Sequence, residues 1–243
     1  MPNHVTTRCI VTGPQSEIDR FREMTFRSDH GDQILDFNEI IPMPLSIRDS
    51  EASNTWEQAA ELLLIRSDPF SLGSRGLSST NVERIRADVD LPEPTPMSYV
   101  AAAYLEKHPE EEAVGKQRLL NIVETGYPDW YEWSCANWGT KWNSYCAGID
   151  EGDDGLLRFH FETAWSFPTP IFMTLATMFP TLRFECACYD EGGNFAGVGA
   201  FNGEPAFKIV EATDELYELV YGVKPEWNED AEDEPERAAV EVS

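Results

Sequence analysis

Apolar positions along this chain keep two different rhythms. From His4 to Thr12 the β-formers Val5, Cys9, Ile10 and Val11 crowd together and Gly13-Pro14 closes the run, which predicts a strand. Ser16 then offers a cap, and Ile18, Phe21, Arg22 and Met24 suit one face of a helix reaching about Arg27. Ile34 to Pro44 predicts a short extended segment at a sheet edge or in a loop, because Pro42 and Pro44 cannot donate to a ladder. Trp56, Ala59, Ala60, Leu63 and Leu64 fall at helical spacing and predict a helix over Asn54 to Arg66. Ser67 to Pro96 is turn-rich and weakly patterned. Two more helices are expected over Met97 to Glu106 and Glu110 to Glu124, separated by His108-Pro109. Glu110, Glu111 and Glu112 occupy a first turn, where the helix dipole favours acids, so they read as a helix start and not as a metal site.

The rhythm then changes to alternation. Trp142 to Ile149 is a strand candidate, and Asp150 to Gly155 is a polar turn. In Leu156 to Thr163, Leu157, Phe159 and Phe161 point one way and Arg158, His160 and Glu162 the other, which is the pattern of a half-buried strand. A helix is predicted over Pro168 to Phe179, with prolines at its start and Pro180 just past its end. Leu182 to Tyr189 alternates again, with Leu182, Phe184, Cys186 and Cys188 inward and Arg183, Glu185 and Tyr189 outward. Glu191 to Asn194 makes a hairpin turn into a last strand, Phe195 to Asn202, and a short element follows over Phe207 to Tyr221. Two βαβ-like halves split by a helical insertion describe an α+β fold of the ferredoxin-like type, an antiparallel sheet with helices on one face and polar residues on the other. This predicts a single domain over residues 1–223 with a helical insertion at about 50–128, followed by an acidic, disordered tail over 224–243.

Composition narrows the function. The net charge is −26, and Lys224 to Ser243 carries eight acids against two bases, so most of the acidity lies in the body of the chain. Such a chain repels nucleic acid through the phosphates and stays soluble. Three readings of the acidity compete: lineage-wide adaptation, as to salt; mimicry of nucleic acid toward a protein that binds it; and simple solubility. No apolar run is long enough to span a bilayer and the first residues lack a signal-peptide pattern, so a cytoplasmic protein with no membrane contact is expected. The cysteines Cys9, Cys135, Cys146, Cys186 and Cys188 form no Cys-x-x-Cys and the four histidines show no close pairing, so buried thiols and no metal or cofactor are expected.

Three strings carry a resemblance. Asn38-Glu39-Ile40-Ile41-Pro42-Met43-Pro44, Asn137-Trp138-Gly139-Thr140-Lys141-Trp142-Asn143 and Thr163-Ala164-Trp165-Ser166-x-Pro168-x-Pro170 resemble the hallmarks of the YubB-type ferredoxin-like domain family. Phe179-Pro180-x-Leu182-x-Phe184 and Tyr189-x-Glu191-x-Gly193-x-Phe195-Ala196-Gly197 extend the likeness, which covers roughly Met1 to Gly203 outside the helical block. The resemblance implies the fold and a setting on bacteriophages and conjugative plasmids. It implies no catalytic residues, because the family has no assigned activity.

Two groups of residues are candidate binding sites. Trp138, Lys141 and Trp142 suit a recognition surface, since tryptophan and basic side chains recur at binding hot spots. Alternatively Trp130, Trp133, Trp138 and Trp142 pin the helical insertion to the sheet with hydrogen-bonded indoles, Asn137, Gly139 and Thr140 make a tight turn, and Asn143 bonds backbone. On the polar sheet face, Arg158, His160, Glu162, Arg183, Glu185 and Tyr189 are mixed in charge, which argues against RNA stacking. His160 and Glu162 are placed for acid–base work or for ion pairing across strands with Arg183. Asp150 to Gly155 does not fit a calcium loop, Trp165-Ser166 is no nucleophile elbow, and Gly197-x-Gly199 is no dinucleotide loop. The expected function is therefore a non-enzymatic accessory protein that binds a host protein, with acidic mimicry as its specific form. The alternative is an enzyme with a site between the sheet and the helical insertion, using His160, Glu162 or Tyr189.

Overall fold

The computed structural model describes residues 3–29, 32–68, 76–151 and 155–225. In chain order the elements are β1 (His4–Thr12), α1 (Gln15–Thr25), β2 (Phe26–Asp29), β3 (Asp32–Leu35), a 3-10 turn (Phe37–Glu39), α2 (Leu45–Arg48) and α3 (Asn54–Ser67). They continue with α4 (Ser79–Val89), α5 (Met97–Lys107), α6 (Pro109–Thr125), α7 (Trp130–Asn137), β4 (Tyr145–Glu151) and β5 (Leu157–Ala164). The last are α8 (Thr169–Met178), β6 (Arg183–Asp190), β7 (Ala196–Phe201), β8 (Lys208–Val210) and α9 (Asp214–Tyr221). The chain divides into two compact units. One comprises Met1–Leu35, Ser144–Phe167 and Leu175–Ser243, and the other Asp36–Asn143 with Pro168–Thr174.

The first unit is built on an eight-stranded antiparallel sheet of order β2-β3-β4-β5-β1-β6-β7-β8. Its centre, β4-β5-β1-β6, joined through α1 and α8 as β-α-β-β-α-β, is the ferredoxin-like arrangement. Alternation decides which side chains meet. Cys9 lies opposite both Phe159 and Cys186, so these three share one face. That face is capped by α1, whose Phe21 sits edge-on or tilted against Phe26, Phe159, Phe179 and Phe184 at centroid distances of 5.3–6.0 Å. Burying each such ring stabilises the fold by about 1.5–3 kcal/mol.

The opposite face was expected to be open, and part of it is not. α9 packs on β6 and β1, and Val220, Leu216, Tyr217 and Tyr221 cover Ala187, Tyr189 and Ala196. Thr213 caps this helix by accepting from the Leu216 amide, and its apolar stripe is buried on the outer sheet face. The region of Phe207 to Tyr221 read as one short element is thus an edge strand followed by a helix.

The second unit is helical. Leu62, Ile65, Ile85, Val100, Tyr104 and Leu105 from α3, α4 and α5 form its core. α3 and α6 cross closely at Gly115, where a Cβ would lie 2.6 Å from the Ala59 backbone. Arg66 to Glu112 at 3.1 Å ties the same two helices. The helical insertion expected at about 50–128 falls within this unit. α4 lies in the stretch read as turn-rich, and α7 in the tryptophan-rich stretch for which no helix was predicted. Ser78 and Asp129 cap them, accepting from the Asn81 and Glu132 amides. The extended segment expected over Ile34 to Pro44 is shorter than that. Asp36 Oδ1 accepts from the Asn38 amide at 3.0 Å and turns the chain into the 3-10 helix directly after β3. Only Lys224 and Pro225 of the acidic tail, and none of Gly152 to Asp154 of the acidic turn, lie among the described residues.

Candidate functional site

The tryptophan motif separates into a structural half and an exposed half, both within the helical unit. Trp138 is 4% exposed, packs on Phe37 and Trp133, and donates from Nε1 to the Ile41 carbonyl at 2.8 Å. Asn143 accepts from the Phe37 amide and donates to Asp36, each at 2.8 Å. Asn137 donates to the Trp133 carbonyl and Thr140 to that of Trp142. Two of the three hallmark strings are therefore bonded to each other: Asn38 to Pro44 supplies Ile41 and the neighbouring Phe37, and the tryptophan string supplies Trp138 and Asn143. Trp133 and Trp138 are thus buried against each other inside the helical unit, with the Trp138 indole hydrogen-bonded. Trp142 is 38% exposed, and Lys141 Nζ lies 4.8 Å from its ring centroid and 5.8 Å from that of Tyr131. Lys141 and Trp142 are the members of this motif that face solvent as a cation–aromatic pair.

In the third string, Thr163 Oγ1 donates to the Ser166 carbonyl and the Trp165 amide donates to the Asn3 carbonyl at 2.9 Å. Trp165 is 40% exposed and holds φ at +76°, a left-handed conformation that costs a non-glycine residue about 1 kcal/mol or more.

On the sheet face, the expected partners are re-sorted by strand order. β1 lies between β5 and β6, so Arg183 cannot serve His160 or Glu162 across one strand. Arg183 instead bridges Glu185 along its own strand at 3.1 Å and donates to the Glu204 carbonyl. His160 Nδ1 faces Asp150 at 3.8 Å, and its ring lies over Gly148, where a Cβ would approach to 2.5 Å. Glu162 faces His4 Nδ1 at 3.7 Å. Arg158 lies opposite Ile10 and Asp150, half-buried. Tyr189 lies on the outer face but is 3% exposed and packs edge-on against Tyr217 and Tyr221, so α9 closes the face that was expected to be open there. Burial raises its phenol, as it raises that of Tyr221.

Sequence reading missed His4 and Tyr145. They lie on β1 and β4, the two strands flanking β5, and His4 Nδ1 and the Tyr145 hydroxyl are 2.7 Å apart. Burial, with Glu162 and Glu191 nearby, pushes the Tyr145 phenol up, so its O–H is available as donor across the physiological range. The signal was strand register, with Tyr145 opposite Glu162 and His4 opposite Ala164, two residues further along β5, which exists only after the strands are paired.

The thiols divide as well. Cys9, Cys186 and Cys188 are buried, with Cys9 and Cys186 sulfurs 3.3 Å apart, while Cys135 and Cys146 are exposed, contrary to the expectation that all five are buried. Desolvation drives the Cys188 thiol up to about 12, which leaves it unreactive. Among the described residues no group of three or more His, Cys, Asp or Glu is placed to hold a metal ion, and no helix is long and apolar enough to cross a membrane.

A ferredoxin-like sheet, its outer face partly covered by α9, and a separate helical unit are what these elements define. Residues 141–234 match the family model described as the ferredoxin-like domain in Api92-like protein. The ferredoxin-like expectation is therefore met over the last part of the chain, under a family name other than the YubB type. A crystal structure of a protein api92 from Yersinia pseudotuberculosis is similar at 10% identity and a TM-score of 0.39, over 88% of this chain and 99% of that one. No curated protein matches the chain.

Proposed function

We propose that the protein acts by binding a basic partner protein through its acidic surface, as a cytoplasmic accessory protein of the phage or plasmid type. The observation that carries this reading is how the helical unit uses its cations. Arg66 and Lys116 are tied to Glu112, Arg86 to Glu93, Lys107 to Asp88 and Arg118 to Asp129. Glu83, Glu106, Glu110 and Glu124 are exposed on the same unit. These five cations are paired with carboxylates inside the unit, while these four glutamates are left facing solvent or a partner. The specific form of the reading is nucleic-acid mimicry toward a host protein that binds DNA or RNA, with no direct contact to nucleic acid. The hallmark strings support the phage or plasmid setting by resemblance.

Affinity capture from host lysate, with nuclease treatment and a salt series, tests it. A nucleic-acid-binding protein should be enriched at low salt and released as salt rises. Substituting Glu106, Glu110 and Glu124 by Gln should weaken the capture. No enrichment at low salt would overturn the reading.

A second reading rests on the His4, Tyr145 and Glu162 juxtaposition, which suits proton transfer on the sheet face. It replaces the expected cleft site that included Tyr189, since that residue is sealed under α9.

A further inference from the structure

The helical unit contains a groove of about 720 Å³ between α3, α6 and the start of α4, a volume within the range of ligand sites. Its walls differ in chemistry. Leu64 on α3, with Leu119 and Ile122 on α6, makes an apolar wall, and Glu57 and Glu61, one helical turn apart on α3, make an acidic one. Glu132 from α7 adds a further carboxylate.

Among the described lining residues Arg118 is the one basic side chain, and its charge is already engaged. The side chain is 8% exposed, with Nη1 on Asp129 at 2.7 Å and Nη2 at 3.4 Å from Glu132 and 3.6 Å from Glu57. The described lining residues therefore carry net negative charge. Glu61 Oε2 is buried there and has no hydrogen-bond partner among the described residues, a condition that destabilises a carboxylate until a donor reaches it. Apolar surface continues out of the groove along α6: Ile122 is 42% exposed, Leu120 52% and Val123 84%.

We propose that this groove receives a basic amphipathic helix of a partner protein. Its apolar stripe would lie on Leu119 and Ile122, and a lysine or arginine would meet Glu57 and Glu61. Helices dock in such grooves through apolar anchors at i, i+3, i+4 and i+7. Charge selects the occupant. An acidic segment is repelled, and this chain's own Lys224 to Ser243, with eight acids against two bases, has the wrong sign. The apolar strip outruns what a small amine would cover. This inference rests on the protein-binding reading above and gives that partner a chemistry and a place.

The test is a fluorescent peptide of about 14 residues, roughly 21 Å of helix, with leucine on one face and lysine on the other. It is titrated against the full-length chain at about 0.15 M salt, beside a scrambled peptide of equal composition and beside spermidine as competitor. Glu57→Gln with Glu61→Gln should weaken the peptide about tenfold, and Ile122→Asn should weaken it comparably. Glu17→Gln with Glu23→Gln, on α1 of the other unit, should leave it within twofold. The scrambled peptide should bind more weakly than the patterned one.

Equal losses in both glutamate pairs would overturn the site in favour of diffuse charge. Complete displacement by spermidine would overturn the helix in favour of a small cation. Melting curves of each variant separate lost binding from lost folding. If lysate capture is salt-sensitive but indifferent to Glu57→Gln with Glu61→Gln, the groove fails and protein binding stands. If nothing is captured, the wider reading fails first.

Discussion

Arg118 shows how much this acidic chain depends on single placed cations. Its guanidinium and the Asp129 carboxylate are both nearly out of water, at 8% and 3% side-chain exposure. Asp129 has two tasks, since its other oxygen caps α7 by accepting from the Glu132 amide at 3.0 Å. Removing one partner of such a pair strands the other charge. Arg118→Ala is therefore expected to destabilise the helical unit by about 3–5 kcal/mol, read from urea unfolding of the full chain. Arg118→Met combined with Asp129→Asn should recover a large part of that loss, because no charge is left stranded. A cost below about 1 kcal/mol for Arg118→Ala, the level of an exposed ion pair, would refute the role. Arg118 drew no notice in the sequence, because helical spacing places it on a face and says nothing of which carboxylates arrive from α3 and α7.

At the scale of elements, the junction of α5 and α6 is a pH-dependent joint. His108 ends α5 and precedes the first residue of α6, and its Nε2 lies 2.9 Å from Asp88 Oδ2 at the end of α4. That hydrogen bond raises the imidazole above its ordinary 6.5, with Glu110 and Glu111 acting in the same direction. The same bond, with Lys107, lowers Asp88 below its ordinary 3.8. The histidine's contribution is complete below 6.5 and is lost as pH rises through the raised value. The aspartate's is complete above 3.8 and is lost as pH falls through the lowered value. The joint is thus strongest between these two ordinary values. NMR titration of His108 should give a midpoint above 6.5 that falls back toward it in Asp88→Asn; an unchanged midpoint would sink the assignment. Elements with strong periodicity were legible beforehand. β1, β5, β6, α3, α5 and α6 all lie within a few residues of where apolar spacing put them. α4 was not, since Val82, Ile85 and Val89 are too sparse a stripe to stand out from a turn-rich stretch. β2 was hidden because Phe26 continues the helical pattern of α1, and only pairing with β3 makes it a strand. The same limit applied to the site. Alternation gave His160 and Glu162 a face, but the strand order that gives them Asp150 and His4 as neighbours, and the helix that buries Tyr189, are long-range facts.

The charge of the whole molecule, −26 over 243 residues, acts on folding and on binding with opposite signs of salt dependence. Like charges repel within the compact state, and raising salt from about 0.1 to 1 M shortens the screening length from roughly 10 to 3 Å. The folded chain should therefore gain stability with chloride salts. A gain of about 2 kcal/mol corresponds to a rise in melting temperature of roughly 4–8 °C for a chain of this size. Capture of a basic partner should weaken over the same range, because the same screening removes the attraction. The shape of the melting curve against salt then decides what the acidity means. A rise that levels off at a few tenths molar, where screening of neighbouring charges is nearly complete, leaves the charge as a recognition surface that costs the fold some stability. A rise that continues into molar salt marks a chain composed for a saline interior. The exposed carboxylates would then say nothing about a partner, and the orphaned Glu61 oxygen with its apolar wall would be the only observation left to support one. Measuring melting temperature in sodium and potassium chloride, with sulfate avoided because it stabilises by exclusion, separates the two cases without knowledge of any partner.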